Sequence, residues 1–199
     1  MGIGKWKPGK AGMYPVSNIK FLISNFFFSP DDAVHNLCYQ LNMAKSSSNV
    51  PLNILFVCIG NSCRSQMAEA LAKQAGKGRI RAWSAGSSPL GEIIPQTHEV
   101  LREKGLTLKG HWSKGLKDVD VSKMDVVVGM GCEVQCPVPL GFKGHVIEWN
   151  IPDPYGHDLA FFRDVRDSIE RQVKALLDDL DQHRKLANAG PASTTAKVK

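Results

Sequence analysis

The sequence predicts an α/β domain built on a parallel sheet, and three observations carry that reading. From Pro51 onward, short apolar runs alternate with helix-length stretches. A glycine-containing polar loop falls between the first apolar run and the first helix. The last helix pattern places Phe162, Val165, Ile169, Val173, Leu176 and Leu180 at steps of three or four, about five turns at 3.6 residues each. With 199 residues, 43% of them hydrophobic and 22% charged, the chain can bury a core of ordinary size. No apolar run is long enough to span a membrane.

The elements follow in order. Residues 1–50 read as an extension with an apolar, aromatic run at 19–28, a helix start at Ser29-Pro30, and a Lys45–Asn49 linker. Met43 is an alternative start that would remove most of it. Ile54–Val57 is the first strand, and Arg64–Ala75 the first helix, closed by Gly76. Ile80–Ala85 is the second strand. Ile94–Lys104 is the second helix, with Gly105 behind it. Asp125–Gly129 and His145–Trp149 complete four strands. These boundaries give an extension at 1–50, a domain at 51–183, and a basic, disordered tail at 184–199.

A pI near 9.1 and a net charge of +6 suggest nucleic acid until the charge is located. Residues 1–50 carry a net +3 and residues 184–199 a net +4, leaving −1 for 51–183. The basic excess belongs to the ends, which argues against a nucleic-acid surface on the domain. Cysteines stand at positions 38, 58, 63, 132 and 136. An odd count with no secretory pattern points to a reducing cytoplasm and to chemistry rather than a disulfide framework.

The loop Cys58-Ile59-Gly60-Asn61-Ser62-Cys63-Arg64-Ser65 lies at the carboxyl end of a strand, where α/β proteins bind ligands. Gly60 and Asn61 tolerate the backbone angles that turn successive N–H groups into an anion-sized nest. The positive end of the following helix and the planar fork of Arg64 add to the field. Such surroundings favour a thiolate at Cys58, which faced with a tetrahedral oxyanion is a nucleophile for phosphorus or arsenic.

This loop, with Ile54–Val57 before it and Gln66–Ala70 after it, resembles the C-x5-R-S active-site loop of the low-molecular-weight protein tyrosine phosphatase family. That family includes thioredoxin-coupled arsenate reductases. Ser84-Ala85-Gly86 and Asp153-Pro154 continue the match, which covers about residues 52–182. The resemblance implies a flavodoxin-like, three-layer sandwich with a four-stranded parallel sheet and helices on both sides. It also implies roles. Cys58 would attack, while Arg64 and the amides of residues 59–65 (Ile59, Gly60, Asn61, Ser62, Cys63, Arg64 and Ser65) would bind the oxyanion. Ser65 would support the Cys58 thiolate, Asn61 would brace the loop, and Asp153 would be the general acid. Cys63 is read as a small buried residue, with a protective disulfide to Cys58 as the alternative.

Cys132 and Cys136 follow the third strand and resemble the redox segment of the reductases. In that scheme Cys132 attacks Cys58, Cys136 attacks Cys132, and a thioredoxin-like thiol donor resets the pair. Pairing requires Cα atoms about 4.4–6.8 Å apart, hence a helical or tightly turned 132–136 segment. A zinc site from Cys58, Cys63, Cys132 and Cys136 is disfavoured by Arg64 in the loop, and structural thiols are the remaining alternative. Ile59 and Asp153-Pro154-Tyr155 look more like the phosphatase branch, and Trp149 more like the reductase branch. Arsenate reduction is therefore the leading expectation. Tyrosine phosphatase chemistry through Cys58, Arg64 and Asp153 is the alternative, and an oxyanion-binding regulator a third. No bound cofactor, metal or nucleic acid is expected. Glu69 and Ser84 match positions near a structural cation in some reductases, against the plainer reading of a polar helix surface. His98, His111, His145 and His157 lack ligand spacing.

Overall fold

The computed structural model describes residues 50–131, 138–139 and 141–188. Cys38, Cys132, Cys136, the helix start at Ser29 and residues 189–199 lie outside them. Four strands are formed: β1 (Leu52–Cys58), β2 (Ile80–Gly86), β3 (Val126–Met130) and β4 (His145–Trp149). The helices are α1 (Arg64–Ala75), α2 (Pro95–Arg102) and α3 (Leu159–Asn188). All pairings are parallel, in the order β2-β1-β3-β4. The first strand thus sits inside the sheet with its successors on either side. Its carboxyl end is the switch point, where such folds open a crevice.

Alternation along the strands sorts the side chains into two layers. Leu52, Ile54, Phe56 and Cys58 of β1, with Val126, Val128 and Met130 of β3, face α1, α2 and α3. Leu55, Val57, Ala85 and Val127 face the other way. There, among the described residues, the cover consists of two 3₁₀ turns, Leu116–Asp118 and Val121–Lys123, with Val138 and Phe142. Helices are expected on both faces; among the described residues the three α-helices lie on the first face, and the last part of the connection from β2 to β3, residues 116–123, crosses the second as turns.

Local sequence explains the element ends. Helix α2 starts at Pro95, whose fixed φ suits the first helical position. It ends in a paired 6→1 and 5→2 closure, Leu106 N–H to Leu101 C=O and Gly105 N–H to Arg102 C=O. Gly105 takes φ +70°, so the pattern that suggested Lys104 as the last residue resolves into the cap itself. Gly76 ends α1 for a different reason. Its φ is −97°, and a Cβ there would lie 2.4 Å from Ile80 Cγ1, so close passage of β2 requires glycine. Helix α3 runs to Asn188, past the boundary drawn at residue 183.

Candidate active site

The loop after β1 is held from outside by its carbonyls. Ser87 and Ser88 N–H groups donate to Cys58 and Ile59 C=O, Leu90 N–H donates to Gly60 C=O, and Thr97 Oγ1 donates to Ser62 C=O. In trans peptides the next N–H points opposite to each carbonyl, so the amides turn away from that scaffold. Contact is close enough to demand glycine at position 86, where a Cβ would lie 2.5 Å from Ile59 O. Asn61 alone takes the left-handed conformation, φ 45°; Gly60, also expected to need special angles, does not.

Asn61 is the hub of the loop. Its Nδ2 donates to Ser65 Oγ at 2.8 Å, and that hydroxyl lies 3.0 Å from Cys58 Sγ. Its Oδ1 accepts from Lys114 N–H at 2.8 Å and from Gln66 Nε2 at 2.9 Å. Gln66 Nε2 also donates to Trp112 C=O, and Gln66 Oε1 lies 3.0 Å from His111 Nδ1. Buried polar groups are retained when every partner is supplied, and here the partners supply one another. The sequence assigns no supporting role to Gln66, Thr97 or the 111–114 segment. The only local hint was a third polar residue, Gln66, after Arg64-Ser65 where the helix should turn apolar.

A cavity of about 240 Å³ opens over the loop, lined by Cys58, Arg64 and Asp153 among others, with Ile59, Leu90 and Tyr155 as exposed apolar lining. Cys58 is 2% exposed and Arg64 3%. Arg64 Nη1 donates to Met130 C=O at 2.8 Å and Ile151 C=O at 3.2 Å, and Nη2 to Asp153 Oδ2 at 2.5 Å. Its Nε is buried without a partner, an uncommitted donor of the kind an oxyanion would satisfy. Met130 and Gly131, whose carbonyls face this guanidinium, end β3 just before Cys132.

Burial pushes the Cys63 thiol up to about 11, outweighing the Ser62 hydroxyl contact that lowers it, so Cys63 is a neutral thiol near pH 7. Behind the loop, Glu69 is 4% exposed, which overturns its reading as polar helix surface. Burial works to raise its pKa, but hydrogen bonds from Lys73 and Ser84 prevail and hold the carboxyl below its usual range. Lys114 Nζ and His111 Nε2 stand 3.5 and 3.7 Å from the same carboxylate. The cationic groups meeting Glu69 and Ser84 are therefore the chain's own. Burial pushes the His111 imidazole pKa down. His98 bears on His111 electrostatically, and His157 stacks on Phe161.

Known proteins resemble this chain in sequence and fold. A Synechocystis protein described as a glutaredoxin arsenate reductase is 34% identical over 125 residues, 62% of this chain and 95% of its own length. An arsenate reductase of Staphylococcus aureus is 35% identical over 124 residues, 61% of this chain and 92% of its own. A solved arsenate reductase in the phosphate-binding state superposes with a TM-score of 0.56 at 30% identity, covering 65% of this chain and 98% of that one. A low molecular weight protein tyrosine phosphatase from T. tengcongensis superposes with a TM-score of 0.58 at 25% identity, covering 64% and 98%. The family model for low molecular weight phosphotyrosine protein phosphatase matches residues 53–186. With the strand-loop-helix geometry around Cys58 and Arg64, these matches make the chain a member of the low molecular weight phosphotyrosine protein phosphatase family.

Proposed function

We propose that the protein reduces arsenate to arsenite through a relay of Cys58, Cys132 and Cys136. The carrying observation is a buried thiol, 3.0 Å from Ser65 Oγ, beside an arginine that retains one unpartnered buried donor. Cys58 Sγ attacks arsenic, and an arsenate hydroxyl leaves as water on taking one proton from Asp153. Cys132 then attacks Cys58 Sγ. The new S–S bond forms as the S–As bond breaks, its electron pair passing to arsenic and taking As(V) to As(III). Cys136 displaces Cys58 from Cys132, and an external dithiol reduces the Cys132–Cys136 disulfide. The donor is a thioredoxin-like protein; the name of the Synechocystis relative makes glutaredoxin the second donor to assay. Such a relay works only where thiols stay reduced, so we assign the protein to the cytoplasm. No described helix is long and apolar enough to cross a membrane. The catalytic domain begins at residue 51 and ends with α3, and residues 1–50 are an extension to it.

Asp153 in this structure is the partner of Arg64. An arriving oxyanion competes for that guanidinium and frees the carboxyl to act as acid. Hydrolysis of aryl phosphates is the second reading. It is favoured by the apolar lining from Ile59, Leu90 and the 60% exposed Tyr155, which a bare inorganic oxyanion does not need.

The test follows arsenite formation with donor, donor reductase and NADPH, beside hydrolysis of an aryl phosphate, in wild type and Cys132→Ser. The variant should lose arsenate turnover and keep phosphate ester hydrolysis. Full arsenate turnover in Cys132→Ser would sink the relay.

A further inference from the structure

A second and larger cavity, of about 410 Å³, lies on the face of the sheet away from α1, α2 and α3 and shares no lining residue with the first. Asn53 of β1 and Arg81 and Trp83 of β2 contribute from the sheet, Trp112 and Lys114 from the segment behind the anion loop. Met124 and the turn at 118–123 complete the lining. Nothing in the thiol chemistry uses this place.

Its charges are unevenly committed. Asp120 is paired with Lys123 and accepts from Ser122 Oγ, while Asp118 accepts the Gly115 N–H. Lys114 Nζ is shared between Glu69 and Ser84, 5.8 Å from the centroid of the Trp112 ring. Arg81 is exposed, and no described residue offers it a hydrogen bond or ion pair. Among the described residues, the cavity charges without an ion-pair partner are therefore the Arg81 guanidinium and the Asp118 carboxylate, which the Gly115 N–H holds but does not neutralise. Asn53 Oδ1 is shielded from solvent without a donor, although the same side chain donates to Lys123 C=O.

Trp112, 53% exposed, is among the largest apolar groups left in solvent, and it stands beside Trp83 in one concave site. Exposed tryptophan in a pocket with a few convergent polar groups is the usual make-up of a small-molecule site. Indole faces recognise flat rings by stacking, and a guanidinium recognises carboxylate, sulfonate or phosphate through its planar fork.

We propose that this cavity is a second ligand site, independent of the thiol relay, that takes a planar aromatic anion. The ring lies against Trp83 and Trp112 and the acidic group pairs with Arg81. A fused ring of naphthalene size leaves room in the cavity for the acidic group and water.

Naphthalene-1-sulfonate serves as the probe, titrated into ¹⁵N-labelled full-length protein with saturating inorganic phosphate to occupy the loop at Cys58. The indole N–H signals of Trp83 and Trp112 should shift while that of Trp149 stays fixed. Arg81→Gln should weaken binding at least tenfold with arsenate turnover unchanged, and Trp112→Ala should abolish it. Binding that phosphate displaces, shifts confined to other tryptophans, or equal affinity in Arg81→Gln would each overturn the proposal.

Discussion

Two carboxylates of this protein are each gripped by basic groups, and they differ mainly in how much water they see. Glu69 is buried behind the anion loop with Lys73, Lys114 and His111. Glu103, at the end of α2, accepts from Arg163 and Arg166 of α3 on the outside of the molecule. Hydrogen bonds from Arg163 and Arg166 pull the Glu103 carboxyl down to about 2. For Glu69 burial opposes the same kind of pull, and the net direction is still downward. The titration directions agree, yet the consequences differ. Water stands ready to replace any partner that Glu103 loses, whereas a charge stranded beside Glu69 has nowhere to go.

Glu69→Gln should be the most damaging change in this comparison. It strands Lys114 between Ser84 and a neutral amide, and breaking a buried pair costs about 3–5 kcal/mol. Urea unfolding reads the loss, and a change below 1 kcal/mol would place Glu69 with the surface pairs.

Asn61→Ala comes next and carries the comparison into the site. It removes the donor to Ser65 and the one acceptor, Oδ1, that Gln66 Nε2 and Lys114 N–H share, and it leaves alanine at φ 45°. Kcat/KM for arsenate should fall about ten- to a hundredfold, the equivalent of 1–3 kcal/mol of lost hydrogen bonding. Alkylation of Cys58 by iodoacetamide should slow with it. Unchanged alkylation would mean that Ser65 needs no bracing.

Glu103→Gln should have the smallest effect, visible chiefly as pH dependence. A carboxyl whose folded pKa is depressed contributes stability above its ordinary value near 4.5 and loses it as pH falls toward about 2. Wild type should therefore be the slightly more stable protein at neutral pH and lose that small, solvent-screened margin between those pH values, so that the two melting temperatures converge near the lower one. A large gap at neutral pH would erase the contrast with Glu69.

Legibility in the sequence follows the range of each interaction. The four strands and three helices were visible because each depends on a local pattern, such as the stepping of Phe162 to Leu180 along α3. Cys58, Arg64 and Ser65 were visible because strand, loop and helix start are contiguous. Asp153 is singled out by the family resemblance rather than by its Asp-Pro pairing, and its contact with Arg64, 89 residues away, has no local sign. The roles of Gln66 and Trp112–Lys114 are hidden for that reason: the contact of Gln66 with Trp112 and that of Asn61 with Lys114 join segments 46 and 53 residues apart. Glu69 was misjudged because a charged residue in a helix is ordinarily a surface residue. Only the meeting of Ser84, Lys73 and Lys114 shows why it is inside.

The sequence by itself determined the order of elements, the place of the reactive loop, and the concentration of net positive charge at the two ends. Periodicity, turn chemistry and charge count need no third dimension. Tertiary structure decided which side chains support that loop, that Asn61 rather than Gly60 carries its left-handed turn, and that the 116–123 turns pack on the face of the sheet away from α1, α2 and α3. Those outcomes depend on which distant segments share the space around β1. That is set by sheet order and packing, quantities that no local window of residues contains.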